Sequence, residues 1–412
     1  MAKLGKEMRV TLVLAILLFT NIVDFMIIMP LSDLLIEDLA LTAIQFSEIV
    51  AAYSISAALS GIFVSMLIDR FEKKKFLMVI YTGFLFGTTL CGLADSYLTL
   101  LLARVFTGLF GGVMGALCYT IISDIVPVER RSTAMGFLTA AFSLASVAGV
   151  PIGLQIAAVW NWEMPFFFIV GFGLIVFSLV IAFIPKIPPT LVNNDETSSG
   201  SAPLLPLKNL FTKKNQQIAL LFMILLVLGQ FTVIPFITPY LTGNVGHTFA
   251  WIPWVYVVGG IVTFISSPVV GKAADKIGRQ KVFLVMAILS MIPLLALTNL
   301  VWLQDAFGMK ASSLISLTVS ALFFILISGR MVPSSSLMTS IVAPANRGGF
   351  MSLTASFQQM GAGLASLIAG YLISIEPGTD IVLGFDTVGY VAIGFTFLAI
   401  LLSFKLRTVE GN

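Results

Sequence analysis

Charge is scarce in this chain, and so are the side chains on which catalysis is usually built. Only 10% of the 412 residues are charged, against about 25% in an ordinary globular domain. There is one histidine, His247, and there are two cysteines, Cys91 and Cys118. Both cysteines fall inside apolar runs, where reduced packing is the plain reading, and nothing in their spacing suggests a metal site or a disulfide framework. His247 sits in a predicted loop, and no ligand or proton role is expected of it. No G-x-x-x-x-G-K-[ST] loop occurs, and no nucleophile–base set stands out. These absences argue against an enzyme, a metalloprotein or an ATP-driven machine. No cofactor is expected, so energy has to come from an ion gradient or from a substrate's own gradient. The net charge of +3 does not point to nucleic acid, because the bases lie in short loops.

What the chain has is apolar length. Apolar residues make up 58% of it, and its mean hydropathy is +1.03. Runs of 18 or more apolar residues recur throughout, each able to cross a hydrocarbon core of roughly 30 Å as a helix. The fold class is therefore an all-α polytopic membrane protein. A strand barrel is excluded, because the runs are continuous and too long. The opening M-A-K-L-G-K-E-M-R-V places Lys3, Lys6 and Arg9 before the first run. That run continues from Val10 to Met29 with no small-residue cleavage site after it, so an uncleaved first helix is expected.

The pattern predicts twelve transmembrane helices, near 9–29, 43–68, 76–95, 97–125, 132–158, 164–184, 216–241, 250–271, 281–301, 312–342, 347–374 and 386–405. Between the sixth and seventh lies a stretch rich in proline and polar residues. The chain thus divides into a first six-helix bundle (1–184), a linker (185–215) and a second six-helix bundle (216–412). With both termini and the linker placed in the cytoplasm, 20 of the 23 Lys and Arg residues fall on the inner side. Lys310 alone lies in an outer loop, and Arg104 and Arg330 lie inside helices. The outer loops carry acids: Asp33, Glu37, Asp38, Glu163, Asp305, Glu376, Asp380 and Asp386.

The two halves echo each other. S-M-L-I-D-R-F-E-K-K-K at 65–75 and G-K-A-A-D-K-I-G-R-Q-K at 271–281 put Asp69 and Asp275 half a chain apart. R-S-T-A-M-G-F-L-T-A-A-F from Arg131 matches R-G-G-F-M-S-L-T-A-S-F from Arg347. A parallel six-plus-six duplication is a transporter architecture.

On these residues the chain resembles the major facilitator superfamily. The second loop copy matches its pattern G-x-x-x-D-[RK]-x-G-[RK] through Gly271, Asp275, Lys276, Gly278 and Arg279. The first keeps Asp69 and Arg70 but has Ser65 and Glu72 where glycines are usual. A-R-V-F-T-G-L-F-G-G from Ala103 is similar to the basic motif of proton-driven exporters. A-G-V-P-I-G at 148–153, with Gly149, Pro151 and Gly153, is similar to the antiporter motif, in a variant like that of the arabinose-efflux-permease-like or drug:proton antiporter branch. The resemblance implies two pseudo-symmetric bundles, alternating access, a bacterial inner-membrane location and a monomer. It also implies a cytoplasmic gate in which Asp69 faces Arg347 at the start of helix 11 and Asp275 faces Arg131 at the start of helix 5. A carboxylate there gains from free N–H groups and the helix dipole.

Charges inside the membrane are the sharper signal. Asp24 lies about 22 Å up helix 1 beyond Arg9, and Arg104 lies roughly 10 Å down helix 4 from the outer side. Both reach similar depth, and they are expected to meet or exchange partners. Such a carboxylate, balanced between burial and a nearby cation, can load and release protons; a permanent structural pair is the alternative. Glu48, early in helix 2, is expected at comparable depth as a reserve carrier. Arg330 has no acid in the spans of its own half, so a place in the cavity is expected, binding an anionic group or an acid of the first half. Pro235 and Pro239 should kink helix 7. Asn21, Met26, Tyr53, Gln230, Phe231, Gln358 and Met360 are candidate liners of an apolar, methionine- and aromatic-rich pocket.

The expected function is proton-coupled efflux of a small organic molecule, with protons and lipid as the other partners. A sugar or metabolite exporter, a proton-independent facilitator, and a lipid-handling or sensing membrane protein stay open as alternatives.

Overall fold

The computed structural model describes residues 5–65, 70–189, 213–309, 312–342, 347–376 and 379–407. The long helices are α1 Lys6–Ile27, α2 Ala43–Ser65, α3 Lys73–Gly92 and α4 Tyr97–Ile125. Next, α5 comprises Val128–Leu144 and Val150–Val159 around a π-helical turn, Ala145–Gly149, and α6 is Met164–Phe183. In the second half, α7 begins as Lys214–Phe231, tightens at Ile234–Phe236 and ends in a π turn, Tyr240–Asn244. It is followed by α8 Pro253–Ile277, α9 Arg279–Thr298, α10 Ser313–Ser340, α11 Arg347–Leu372 and α12 Phe385–Ser403. Two short helices, Ser32–Asp38 and Leu300–Ala306, lie between spans.

Eleven of the described helices are long and apolar enough to cross a membrane. The other long one, α11, has 26 residues but carries Gln358, Gln359 and many small residues. Side chains such as Phe86, Leu102, Phe168, Ile292, Leu314 and Phe397 project outward. An apolar exterior of this kind suits hydrocarbon rather than water.

Proline explains the breaks. Pro235 and Pro239 cannot donate to the helix ladder and crowd the preceding turn, so the expected kink in α7 is a full interruption of the α-helix after Phe231. Pro151 leaves the turn beneath it without an N–H, and the π turn Ala145–Gly149 forms there.

The apolar core is shared at one end and divided at the other. At the end that carries Asp33, Glu163, Asp305 and Asp380, one cluster joins both halves, from Val23, Ile27 and Leu31 to Phe236, Ile237 and Tyr240. At the opposite end, which carries Arg130, Lys214 and Arg279, each half has its own cluster. One is built on Leu14, Tyr81, Leu117 and Val176, and the other on Phe222, Phe283, Met338 and Phe350. The halves also touch lengthwise along α2–α11 and α5–α8. The acidic end is sealed by the shared cluster, whereas at the basic end the described residues form two separate clusters. Of the linker expected at 185–215, residues 190–212 lie outside the described residues.

Candidate functional site

A buried ion pair and a cavity between the halves make up the candidate site, and a second buried arginine stands apart from both. In the first half, Asp24 on α1 and Arg104 on α4 are both completely buried. Arg104 Nη1 donates to Asp24 Oδ2 at 3.0 Å, and Thr88 Oγ1 on α3 donates to Asp24 Oδ1 at 3.0 Å. The guanidinium carbon stands 4.4 Å from the ring centre of Tyr53, close enough for cation–π attraction. The Tyr53 hydroxyl in turn accepts from Asn21 Nδ2 at 2.9 Å. Among the described residues Arg104 Nε and Nη2 make no hydrogen bond of normal geometry, although the Cys91 thiol lies beside the guanidinium. The pair therefore uses only part of the donor capacity of the guanidinium.

Glycine makes this approach possible. A Cβ on Gly108 would stand 2.1 Å from Ser56 Oγ and 2.4 Å from the Tyr53 carbonyl, and one on Gly112 would stand 2.2 Å from the Ala57 carbonyl. Their absence lets α2 lie directly on α4, which brings the Tyr53 ring onto Arg104. Gly115, on the same helix, faces open space.

The cavity lies between the halves. It is lined by Phe25, Met26 and Met29 of α1, Phe142, Ser143 and Ser146 of α5, Gln230 and Phe231 of α7, Tyr256, Gly260 and Thr263 of α8, and Phe324 and Ser328 of α10. No charged side chain is among these described residues. Its free volume is about 70 Å³, well under the roughly 300–1,000 Å³ of a small-molecule site. Admitting a ligand requires the Phe and Met side chains to move. Phe25 bridges to the ion pair, packing 5.4 Å from Tyr53 and 6.0 Å from Phe231 between ring centres. Phe25 and Tyr53 thus form a path of packed rings from the cavity to Arg104.

The candidate liners divide accordingly. Met26, Gln230 and Phe231 face the cavity. Asn21 and Tyr53 belong to the ion-pair cluster. Gln358 and Met360 are partly buried on α11, outside the lining. Glu48 does not join Asp24. It accepts a hydrogen bond from Tyr97, the first residue of α4, two turns above Arg104.

Arg330 corrects an expectation. It is fully buried, yet it turns away from the cavity into its own bundle. Its Nη1 donates to Thr396 Oγ1 at 2.8 Å and Ser290 Oγ at 3.3 Å, and its Nη2 donates to the Leu226 carbonyl at 3.2 Å. Among the described residues no carboxylate pairs with it. The α10 helix presents position 330 to α9 and α12, a rotation that depth along the chain does not reveal.

The helix-5 motif is a packing joint. A Cβ on Gly149 would stand 2.2 Å from Val23 Cγ2, and one on Gly153 would stand 2.7 Å from Ile27 Cδ1. So α5 rests on the very turn of α1 that carries Asp24, while Pro151 sits just beyond the π turn. On its other side that turn meets α8, where a Cβ on Gly260 would be 2.8 Å from Val147.

At the basic end the expected gate contact is not made on the α5 side. Asp275 and Arg70 are exposed, and Arg131 folds back onto the Ser123 and Val126 carbonyls of its own half. Arg279 and Arg347 open α9 and α11, and Asp69 lies outside the described residues. The two loop copies also turn differently. Gly278 takes φ 108°, ψ 133°, a region open only to glycine. Glu72, at the matching place, takes φ −64°, ψ 116°. Sequence reasoning missed Lys73, buried against Asp124 at 2.5 Å, and Thr88. Neither carries a motif, and only the packing of α3 on α4 and α1 brings them in.

A two-bundle helical fold, a cavity at the bundle interface and duplicated loop motifs are now in place, and known proteins can be set beside this chain. The Major Facilitator Superfamily model matches residues 14–232 and again 219–411. The chain belongs to that superfamily. It is 24% identical to the uncharacterized MFS-type transporter YceJ of Bacillus subtilis (strain 168) over 89% of this chain and 90% of that one. It is 26% identical to the inner membrane transport protein YdhP of Escherichia coli (strain K12) over 60% of this chain and 62% of that one. Among solved structures, it is similar to a bacterial homolog of the human lysosomal transporter Spinster in an inward-facing, occupied conformation. There the TM-score is 0.73 and the identity 16%, with 96% of each chain covered. It is similar also to the nucleoside transporter NupG, with a TM-score of 0.72 and 12% identity over 98% of this chain and 100% of that one. These structures share the fold. This superfamily member is thus an integral-membrane transporter and not an enzyme.

Proposed function

We propose that this transporter exports a small organic molecule in exchange for protons, with Asp24 as the proton carrier and Arg104 as its switched partner. The observation that carries the reading is the fully buried Asp24–Arg104 pair, one aromatic layer from the cavity. Ionised Asp24 holds the guanidinium. Protonated Asp24 releases it toward Tyr53, whose ring reaches the cavity wall through Phe25. Because Gly149 seats α5 on the Asp24 turn, a shift there also moves the π turn against α8. That interface has to open and close in alternating access. The neutral, aromatic and methionine-rich lining, with Gln230 and several hydroxyls, favours a largely apolar, uncharged substrate over an anion. The excess of bases at one end favours a cytoplasmic location for that end, in a bacterial inner membrane. We take the working unit to be a monomer, with no bound cofactor.

The test uses purified protein in liposomes holding an internal pH dye. Neutral organic molecules, cationic drugs, sugars and anionic metabolites are added to wild type and Asp24→Asn. Substrate-dependent proton flux that vanishes in Asp24→Asn is the expected result. Substrate movement without proton flux, unchanged in Asp24→Asn, would falsify the coupling and leave a facilitator.

A further inference from the structure

A second acid bridges the two halves at the sealed end. Asp33 stands on the short helix Ser32–Asp38. Its Oδ2 accepts a hydrogen bond from Thr242 Oγ1 at 2.6 Å, from a residue 209 positions away in the other half. The Thr242 hydroxyl has one hydrogen and other calls on it. The Thr238 carbonyl is 3.0 Å away and the Pro239 carbonyl 3.2 Å away. When Asp33 is protonated, both needs are met: Asp33 donates to Thr242, and Thr242 donates to its own helix. When Asp33 is ionised, Thr242 must turn its only hydrogen to the carboxylate.

The surroundings favour the neutral form. The charged groups facing Asp33 are Glu37 on its own helix and Asp380 on the α11–α12 loop, with Tyr256 of α8 beneath. Among the described residues Asp33 forms no ion pair with a base. The Asp380 loop is clamped in place. Asn244 exchanges two hydrogen bonds of 2.9 Å with Val382, and a Cβ on Gly243 would stand 1.8 Å from the Asp380 carbonyl. Below the bridge, Thr238 Oγ1 and Tyr256 Oη lie side by side, buried, neither in a hydrogen bond of normal geometry. Tyr256 is also a cavity liner, so the bridge stands directly above the cavity.

We propose that Asp33 is a second proton-binding site, and that a proton held there keeps the acidic end of the transporter closed. This rests on the alternating-access reading above but not on the role of Asp24. Burial pushes the Asp33 carboxyl from its ordinary 3.8 up to about 6, against the hydrogen bond from Thr242 and with help from Asp380 and Glu37. Opening this end to water returns the group toward its ordinary value. The closed form therefore binds the proton more tightly, and acid favours closure. As pH rises from about 4 to about 6, the closed-to-open ratio falls by about thirtyfold, and above that it levels off. If this end faces outward, external acid returns the carrier to the state that loads substrate inside.

Spin labels at Leu93→Cys and Phe307→Cys, both exposed at the acidic end of separate halves, report the closure in full-length protein in nanodiscs, with Cys91 and Cys118 replaced by Ala. In this background the short distance should dominate at pH 4.5 and lose ground as pH rises to 7. Asp33→Asn should stay short across the whole range. Thr242→Val, which keeps the acid and removes its partner, should lower the short-distance fraction at pH 4.5. Adding Asp24→Asn should leave the Asp33-dependent shift intact, which separates this site from the carrier. A pH-independent background, or the same pH dependence in Asp33→Asn, overturns the proposal.

Discussion

Both halves bury an arginine completely, but among the described residues only one of the two meets a carboxylate. Arg104 has Asp24 at 3.0 Å and the Tyr53 ring against its face. Arg330 has two hydroxyls and a carbonyl. A hydroxyl or a carbonyl cannot take up a proton near neutral pH; a carboxylate can, and loses its charge when it does. The duplicated scaffold therefore pairs its buried cation with an acid in the first half and with neutral groups in the second. The proton coupling proposed above is therefore asymmetric. Neither arginine opens onto the cavity, so any effect on substrate has to travel through packing.

The largest test of this contrast removes one member of the pair. Asp24→Ala leaves the Arg104 charge buried without its counter-ion, and should cost about 3–5 kcal/mol of stability, read as the shift of the thermal unfolding midpoint in detergent. Asp24→Leu combined with Arg104→Met should recover most of that loss, since no bare charge remains. Transport should stay absent in the double variant. Recovery of proton-coupled transport along with stability would remove Asp24 from the mechanism.

The sequence reading reached the depth of these charges but not always their direction. Asp24 and Arg104 were legible because each is a lone charge in an apolar run and both lie at one level. Arg330 was equally visible, and its partners were not. Counting residues along a helix gives depth, while the face presented depends on helix rotation, and α10 is apolar nearly all round. Ser290 and Thr396 are ordinary small polar residues with no pattern to single them out. The long helices follow from continuous apolar runs, and the break in α7 follows from Pro235 and Pro239. The short helix Ser32–Asp38 was hidden because seven residues give too little periodicity to read. Asp33 therefore looked like one more loop acid, and its contact with Thr242 depends on how the two halves dock.

A smaller effect tests what holds the first cluster together. Gly108→Ala places a methyl group 2.1 Å from Ser56 Oγ and 2.4 Å from backbone. Backbone cannot yield as a side chain does, so α2 must move off α4 at a cost of about 1–3 kcal/mol. That movement also lifts Tyr53 from Arg104. Gly115→Ala, on the same helix with open space around it, is the control and should leave the unfolding midpoint nearly unchanged. Equal losses at the two positions would mean that the close approach of α2 is not what Gly108 protects, since the higher helix propensity of alanine can only add stability at either one.

The smallest effect belongs to the second arginine. In Arg330→Met the partners are not stranded. Ser290 Oγ still donates to the Ala287 carbonyl at 2.7 Å, and Thr396 Oγ1 to the Ala392 carbonyl at 2.9 Å. The substitution gives up three hydrogen bonds to neutral acceptors and also removes the burial of a charge, and the two effects oppose each other. Stability should change by less than about 1 kcal/mol in either direction. The liposome assay then reads the charge by itself. Intact protein with normal transport would make Arg330 a packing residue with an unusual head group. Intact protein that folds but no longer transports would show that the second half needs a fixed positive field behind its cavity wall, and the asymmetry would be one of task rather than of importance. A loss of 3 kcal/mol or more would instead point to a counter-charge that reaches Arg330 in another conformational state. The contrast between the two halves would then hold only for the state with the acidic end closed.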